Sequence, residues 1–306
     1  MKILPAVLLL LASPLAADET RDAVFEASVN EMFPQLVEIR RDLHANPELS
    51  NQEVRTAKVV ADKLRALGLE VKEGVAVTGV VALLKGKSEG RCIAVRADMD
   101  ALPIRQISSK PYRSRNPGVM HACGHDVHVT VALGLAELLA KHRDQLDGTV
   151  KFLFQPAEES MPATFKGDWG AKLMVAEGAM ENPRPEAVLA LHSTTAFMPA
   201  GDMDYSKVHY LEAGQVGWNI GASSANSDRF QIKIKGVMAH GSAPHRGVDA
   251  IAVAAEAISA LQLIRSRETN TQQPLVITVG MIQGGDRENI IAEEVTMSGT
   301  VRTMDI

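Results

Sequence analysis

The stretch RCIAVRADMD, Arg91–Asp100, is a short apolar run that stops abruptly at two aspartates, Asp98 and Asp100. Two later runs end the same way: KFLFQPAEE in Glu158 and Glu159, and VLALHS in His192. Short apolar runs bounded by turn residues read as strands. Helical patterns separate them: DVHVTVALGLAELLAKHR before KFLFQPAEE, and GAKLMVAEGAM after it. Strands alternating with helices imply an α/β domain with a largely parallel central sheet and helices on both faces. In such open sheets the carboxyl ends of the strands form the ligand crevice, so the three acidic or histidine endings are expected to converge there.

Upstream, SNQEVRTAKVVADKLRALGLEV opens with Ser50-x-x-Glu53, the pattern of a capping box. It repeats apolar residues at Val54, Ala57, Val60, Ala61, Leu64 and Leu67, predicting an amphipathic helix that stops at Gly68. GVVALLKG is a further strand. From about Ser223 the texture changes. RFQIKIKG alternates polar and apolar residues, as a half-exposed strand does. A long helix over GVDAIAVAAEAISALQLIRSR and strands over PLVITVGMIQGG and EVTMSGTVRT follow. This β-α-β-β order opens a small α+β sandwich of ferredoxin-like type. The expected organisation is a leader over 1–17, a catalytic domain over 18–222 and a second, incomplete domain over 223–306. There is no internal repeat or low-complexity segment.

Composition narrows the function. The chain has 306 residues, 46% of them hydrophobic, with 32 Lys+Arg against 37 Asp+Glu, a net charge of −5. No basic excess supports nucleic-acid binding, and a small-molecule partner is expected. MKILPAVLLLLASPLAADET places one Lys before an apolar run too short to span a bilayer, followed by small residues, which reads as an export signal cleaved after Ala17. An uncleaved N-terminal anchor is the alternative. The expected location is therefore periplasmic or secreted, with no membrane association once the signal is removed. Of the two cysteines, Cys92 reads as a buried small hydrophobe, while Cys123 sits among histidines. A Cys92–Cys123 disulfide is the alternative, and it would leave those histidines without a purpose.

The densest chemistry is GVMHACGHDVH, Gly118–His128. Cys123 and His125 are two apart and can face one side, and the N-terminus of the following helix is expected to favour a thiolate. Thiolate, imidazole and carboxylate together suit zinc, with manganese or cobalt where carboxylates dominate. Adjacent Glu158 and Glu159 on an extended strand end are expected to point in opposite directions, one to bind metal and the other to act as a base. His121 and His128 read as supports of the site or as structural residues. His142 belongs to a charged helix end, and His209 has no assigned role. In the second domain His240 and His245 lie on the small-residue loop GVMAHGSAPH, which is otherwise a capping turn. Arg302 is either a surface residue or a clamp for a substrate carboxylate.

The series RADMDALPI, MHACGHDVH, FQPAEE, LHS…PAG, KGVMAHGSAPH, NII and GTVRT resembles the aminoacylase, carboxypeptidase and hippurate hydrolase metallopeptidases, peptidase family M20, and looks most like their amidohydrolase branch. The resemblance covers about Val37 to Thr303. It implies a dinuclear metal hydrolase acting on N-acyl or N-aroyl amino acids, with an inserted lid domain that forms a homodimer. On this chain it implies that Cys123, His125, Glu159 and His192 are metal ligands and that Glu158 is the general base. Asp100, and Asp126 likewise, would steady the site. His240 would stabilise the oxyanion in a neighbouring subunit's site, and Asn289 and Arg302 would contact the substrate's carboxylate. A dipeptidase or carboxypeptidase on the same site and a non-catalytic homologue are the rival readings. The segment SMPATFKGDWGAK, with Met161, Phe165 and Trp169, is longer than the family's usual glycine-rich link. Because two metals need more ligands than these four, because there is no His beyond His245, and because the second domain lacks a helix and a strand, the 306 residues are expected to be part of a longer protein with one metal position under-coordinated.

Overall fold

The computed structural model describes residues 19–160, 166–193, 215–217 and 225–304. The leader, Met161, Phe165 and His209 lie outside these. The chain divides into two compact units, Met1–Thr195 and Ala196–Ile306. None of the helices among the described residues is long and apolar enough to cross a membrane.

The first unit opens with helix α1 (Glu19–Ala45) and helix α2 (Val54–Ala66). Strands β1 (Glu70–Val75), β2 (Gly79–Lys85) and β3 (Ser88–Asp98) follow, then α3 (His125–Lys141), β4 (Asp147–Gln155), α4 (Gly170–Ala176) and β5 (Ala187–Ala190). Helix α2 buries the face that its periodicity marks, with Thr56, Ala57, Val60, Ala61 and Leu64 inward. It ends in a Schellman turn: the amide of Leu69 reaches the carbonyl of Leu64 at 3.1 Å and that of Gly68 reaches Arg65 at 2.9 Å, with Gly68 at φ +74. Its start is not the expected capping box. The Glu48 carboxylate accepts from the amides of Arg55 and Thr56, at 3.0 and 2.8 Å, while Ser50 and Glu53 bond elsewhere.

The sheet order is β1-β2-β4-β3-β5. Strand β3 pairs parallel with β4 and with β5, whereas β1–β2 and β2–β4 are antiparallel. The sheet is therefore mixed: among the described strands β2 alone runs against β1, β3, β4 and β5. The reversal of β2 follows from its hairpin with β1, a strand that the sequence does not announce, since a hairpin can only be antiparallel. Both faces are covered. On one, Leu43, Val60, Leu64, Val129, Leu133 and Ala136 close over Ala82, Leu84, Phe152 and Phe154. On the other, Met174 and Ala179 lie over Ala94 and Leu153. Strand β4, buried from Val150 to Gln155 on both faces, is the centre of the layer. The three parallel strands β4, β3 and β5 end at one edge of the sheet, and the acidic and histidine endings follow them there.

The second unit contains β6 (Asp228–Lys235), β7 (Ala239–His240), α5 (Ala250–Leu263), β8 (Leu275–Gly284), β9 (Ile290–Ile291) and β10 (Glu294–Thr303). Strand β10 lies between β6 and β8, antiparallel to both. Helix α5 is capped by Asp249, whose carboxylate accepts from the amides of Ile251 and Ala252. It packs Ala250 and Ala254 against Val295 and Met297.

Candidate metal centre and active site

His125 is the hub of the crevice. It is the first residue of α3, wholly buried, and placed there by a helix that begins directly after Gly124 at φ +95. Its Nδ1 lies 3.3 Å from Asp100 Oδ1. Its Nε2 faces Asp98 Oδ2 at 3.6 Å, Glu159 Oε1 at 3.7 Å and Glu158 Oε2 at 3.8 Å. Burial disfavours the imidazolium, but Asp100 and Asp98 outweigh it and raise the His125 pKa. Cys123 Sγ lies 3.4 Å from His192 Nε2.

Three groups converge closely enough to hold one cation each: Cys123, His125 and His192; His125, Glu158 and Glu159; and Asp98, His125 and His128. The donors fit a divalent metal. His125 Nε2 and Glu159 Oε1 are buried and face each other without a hydrogen-bond partner, an arrangement that costs free energy unless a cation lies between them. Two tetrahedral ligands with N, O or S bonds to zinc sit about 3.4–3.6 Å apart, close to the spacings found here. The sequence-based expectation for the thiol needs correcting. Burial, with Glu159 and then Glu158 adding negative charge, pushes Cys123 up to about 12. The helix end does not overcome this, so a thiolate at Cys123 depends on a bound cation.

Glu158 and Glu159 do not diverge as an extended strand would make them. Strand β4 ends at Gln155, and Ala157 takes φ +49, so the alternation of side chains is lost. The Glu158 amide donates to Asp100 Oδ1 and the Glu159 amide to Asp100 Oδ2, both at 3.0 Å. Both carboxylates consequently face His125. Glu159 is the more enclosed, its side chain 17% exposed against 39% for Glu158. Burial, then the charges of Asp98 and Glu159, raise the Glu158 pKa, which suits a group that must accept a proton and give it back.

The buried network behind these groups is denser than sequence reasoning foresees. Ser193 donates its amide to His128 Nε2 at 2.7 Å, so that nitrogen is the acceptor and Nδ1–H donates to Asp98 Oδ1 at 2.6 Å. His128 thereby connects the end of β3 to the residue next to His192. Burial disfavours the Asp98 carboxylate, but His128, His125 and Arg96 hold its pKa down at about 2. Asp126 does not join the ligand cluster. Its carboxylate turns to α1, where it pairs with Arg40 Nε at 2.9 Å and His44 Nδ1 at 2.8 Å. His121 is buried nearby, and burial lowers its pKa to about 4. Arg40, His44 and Ser193 carry no local signal in the sequence. His44 becomes recognisable only through Asp126, 82 residues away.

Cys92 is buried, and both cysteines are free thiols. His142 sits at the end of α3 and meets Ser28 Oγ at 3.1 Å. In the second unit His240 pairs in register with Ile290, and the Gly241 amide donates to the carbonyl of Asn289 at 2.7 Å. The structure thus brings His240 and Asn289 together at the antiparallel β7–β9 pair, from segments separated in sequence by α5 and β8. Arg302 is exposed on β10, in the three-stranded sheet. His245 lies in a single turn before α5.

Residues 94–286 match peptidase family M20/M25/M40. A probable hydrolase of Synechocystis sp. is 45% identical over 274 residues, covering 89% of this chain and 64% of that protein. The N-acyl-L-amino acid amidohydrolase of Geobacillus stearothermophilus is 40% identical over 278 residues, covering 90% of this chain and 69% of that protein. Among solved structures, the YXEP protein of Bacillus subtilis, a dinuclear metal binding peptidase from the M20 family, superposes with a TM-score of 0.69 at 35% identity, covering 90% of this chain and 65% of that one. Against these three proteins the chain spans 64%, 69% and 65% of their length.

Proposed function

The chain belongs to peptidase family M20/M25/M40, and on that premise we propose that the protein is a metal-dependent amidohydrolase cleaving the amide bond of N-acyl or N-aroyl amino acids. Cys123, His125, Glu159 and His192 would hold two divalent ions, zinc first, with manganese or cobalt as alternatives. Such ions supply Lewis acidity toward the amide carbonyl and lower the pKa of water. The observation that carries the reading is Glu158: a half-exposed carboxylate with a raised pKa, facing His125 beside the more enclosed Glu159.

In this reading water forms the new C–O bond at the carbonyl carbon while Glu158 takes its proton. Glu158 then returns that proton to the amine nitrogen as the C–N bond breaks, releasing a carboxylate and an amino acid. Asp100 holds His125 and the two glutamate amides in place throughout. His240, exposed on β7, stabilises the oxyanion from the partner of a homodimer built through the second unit, while Asn289 and Arg302 engage the substrate's carboxylate. The second unit acts as the lid. The protein works outside the cytoplasm, following the export signal at its start. The test is to assay purified protein with Zn²⁺, Mn²⁺ or Co²⁺ against N-acetyl amino acids, N-benzoyl amino acids and dipeptides. Turnover of the acylated amino acids is expected. A preference for dipeptides would move the reading to a dipeptidase, and no metal-dependent turnover of any of them would overturn it.

A further inference from the structure

Ser50 and Glu53 carry the sequence signature of a helix cap, yet neither caps α2. Both reach about a hundred residues along the chain to the loop that bears Glu158 and Glu159, Ser50 by way of Asp100. Glu53 is fully buried. Its Oε1 accepts the Ala157 amide at 2.8 Å, and its Oε2 pairs with Thr78 Oγ1 at 2.5 Å. Ser50 Oγ donates to Asp100 Oδ2 at 2.7 Å, the same oxygen that accepts the Glu159 amide. Pro156 has no amide hydrogen. Every backbone donor from the end of β4 through Glu159 is thus accounted for by two buried carboxylates: Ala157 on Glu53, and Glu158 and Glu159 on Asp100.

The backbone held in this way is strained. Ala157 sits at φ +49, where a side chain is disfavoured, and such a residue persists only when its surroundings over-determine it. It is also wholly buried, with the carbonyl beneath it packed so closely on Gly170 that a methyl there would collide at 2.6 Å. The strain is what turns the two glutamates to one side instead of opposite sides of the strand.

We propose that Ser50 and Glu53 are positioning residues for the Glu158–Glu159 pair: Glu53 clamps Ala157 in its left-handed conformation, and Ser50 fixes the Asp100 carboxylate on which both glutamate amides rest. This rests on the metal-centre reading above, and Co²⁺ binding, which needs no substrate, separates the two. The full chain is titrated with Co²⁺, and visible absorption reports the ligand field and affinity of the bound ion. Wild type is compared with Glu53→Gln, Glu53→Ala and Ser50→Ala, with the Glu53→Ala/Ala157→Gly double variant added. Loss of a partner that orients metal ligands costs about 10–100-fold in affinity or activity.

The expected result is a Co²⁺ affinity reduced about 10-fold or more, with an altered spectrum, in Glu53→Ala, and a smaller loss in Ser50→Ala. Glu53→Gln, which keeps an acceptor for the Ala157 amide, stays near wild type. Ala157→Gly recovers part of the loss, because glycine adopts φ +49 without penalty. A Glu53→Ala protein that melts earlier but binds Co²⁺ with wild-type affinity and spectrum would overturn the proposal and leave Glu53 a stability residue. Should Glu53→Ala fail to fold, Ser50→Ala decides on the same readout, and an unchanged spectrum there overturns it. Absence of Co²⁺ binding by wild type would instead refute the metal centre itself.

Discussion

Around His125, in the first unit, the groups behind the ligand cluster are held by partners from elsewhere in the chain: Asp100 by Ser50 and two amides, Asp98 by His128 and Arg96, and His128 by Asp98 and the Ser193 amide. On the β7–β9 strand pair of the second unit, His240 is exposed, and among the described residues its ring bonds to Ser242, two residues away. The same residue type is locked in one place and free to change partners in the other. Groups that share a cation must be fixed against mutual repulsion before it binds, which requires a buried framework from distant parts of the chain. A group that meets a developing oxyanion can remain exposed until the substrate brings it into play.

That contrast is sharpest in the metal-free protein, where the crevice should behave as an anionic site lacking its cation. With the Cys123 thiol pushed up from 9.0 to about 12, the thiolate is scarce at pH 8 and appears only as the pH climbs toward 12. Alkylation of Cys123 by iodoacetamide at pH 8 is expected to be about 1000-fold slower in the folded, metal-free protein than in the unfolded chain, following the thiolate fraction. Equal rates would break the picture of a crevice dominated by carboxylates.

In the second unit, His240→Ala should lower kcat by about 100-fold while leaving metal binding unchanged, as loss of an oxyanion donor does. Arg302→Ala should chiefly raise KM, as loss of a ground-state carboxylate contact does. Steady-state kinetics on an N-acyl amino acid checks both, and the reverse pattern would exchange their roles. A smaller effect is expected inside the framework. His128→Ala removes the acceptor of the Ser193 amide and should weaken metal binding by about 10-fold in a chelator competition. An unchanged affinity would mean that His192 is placed without His128.

The sequence exposes the ligand-type residues well because they stand at the ends of apolar runs, where a strand must stop and a crevice begins. Glu158, Glu159 and His192 are readable in this way, and Cys123 and His125 from their close spacing at the start of a helix. What holds them is not. Ser50 and Glu53 have the residue types and spacing of a cap, but the choice between capping α2 and holding Ala157 is made by contacts on the order of a hundred residues away, which no local pattern records. The facing of Glu158 and Glu159 departs from strand alternation for a related reason. Alternation along a strand holds only while φ stays negative, and the turn at Ala157 breaks it. Strand β1, in EVKEGV, has too little apolar alternation to announce itself, so the hairpin that turns β2 against the rest of the sheet is not legible. Arg40 and His44 lie on α1, a helix with no clear apolar stripe, and acquire meaning only from Asp126 across the fold.

The central claim is that Glu158 moves the proton while its neighbours hold the metal. Glu158→Gln tests it directly, with metal content and hydrolysis of an N-acyl amino acid measured on the same preparation. The expected result is turnover lowered by at least about 100-fold, the scale of general-base catalysis, with metal content equal to wild type. Retained turnover, or metal lost in parallel with activity, would contradict the assignment and make Glu158 a ligand rather than the base.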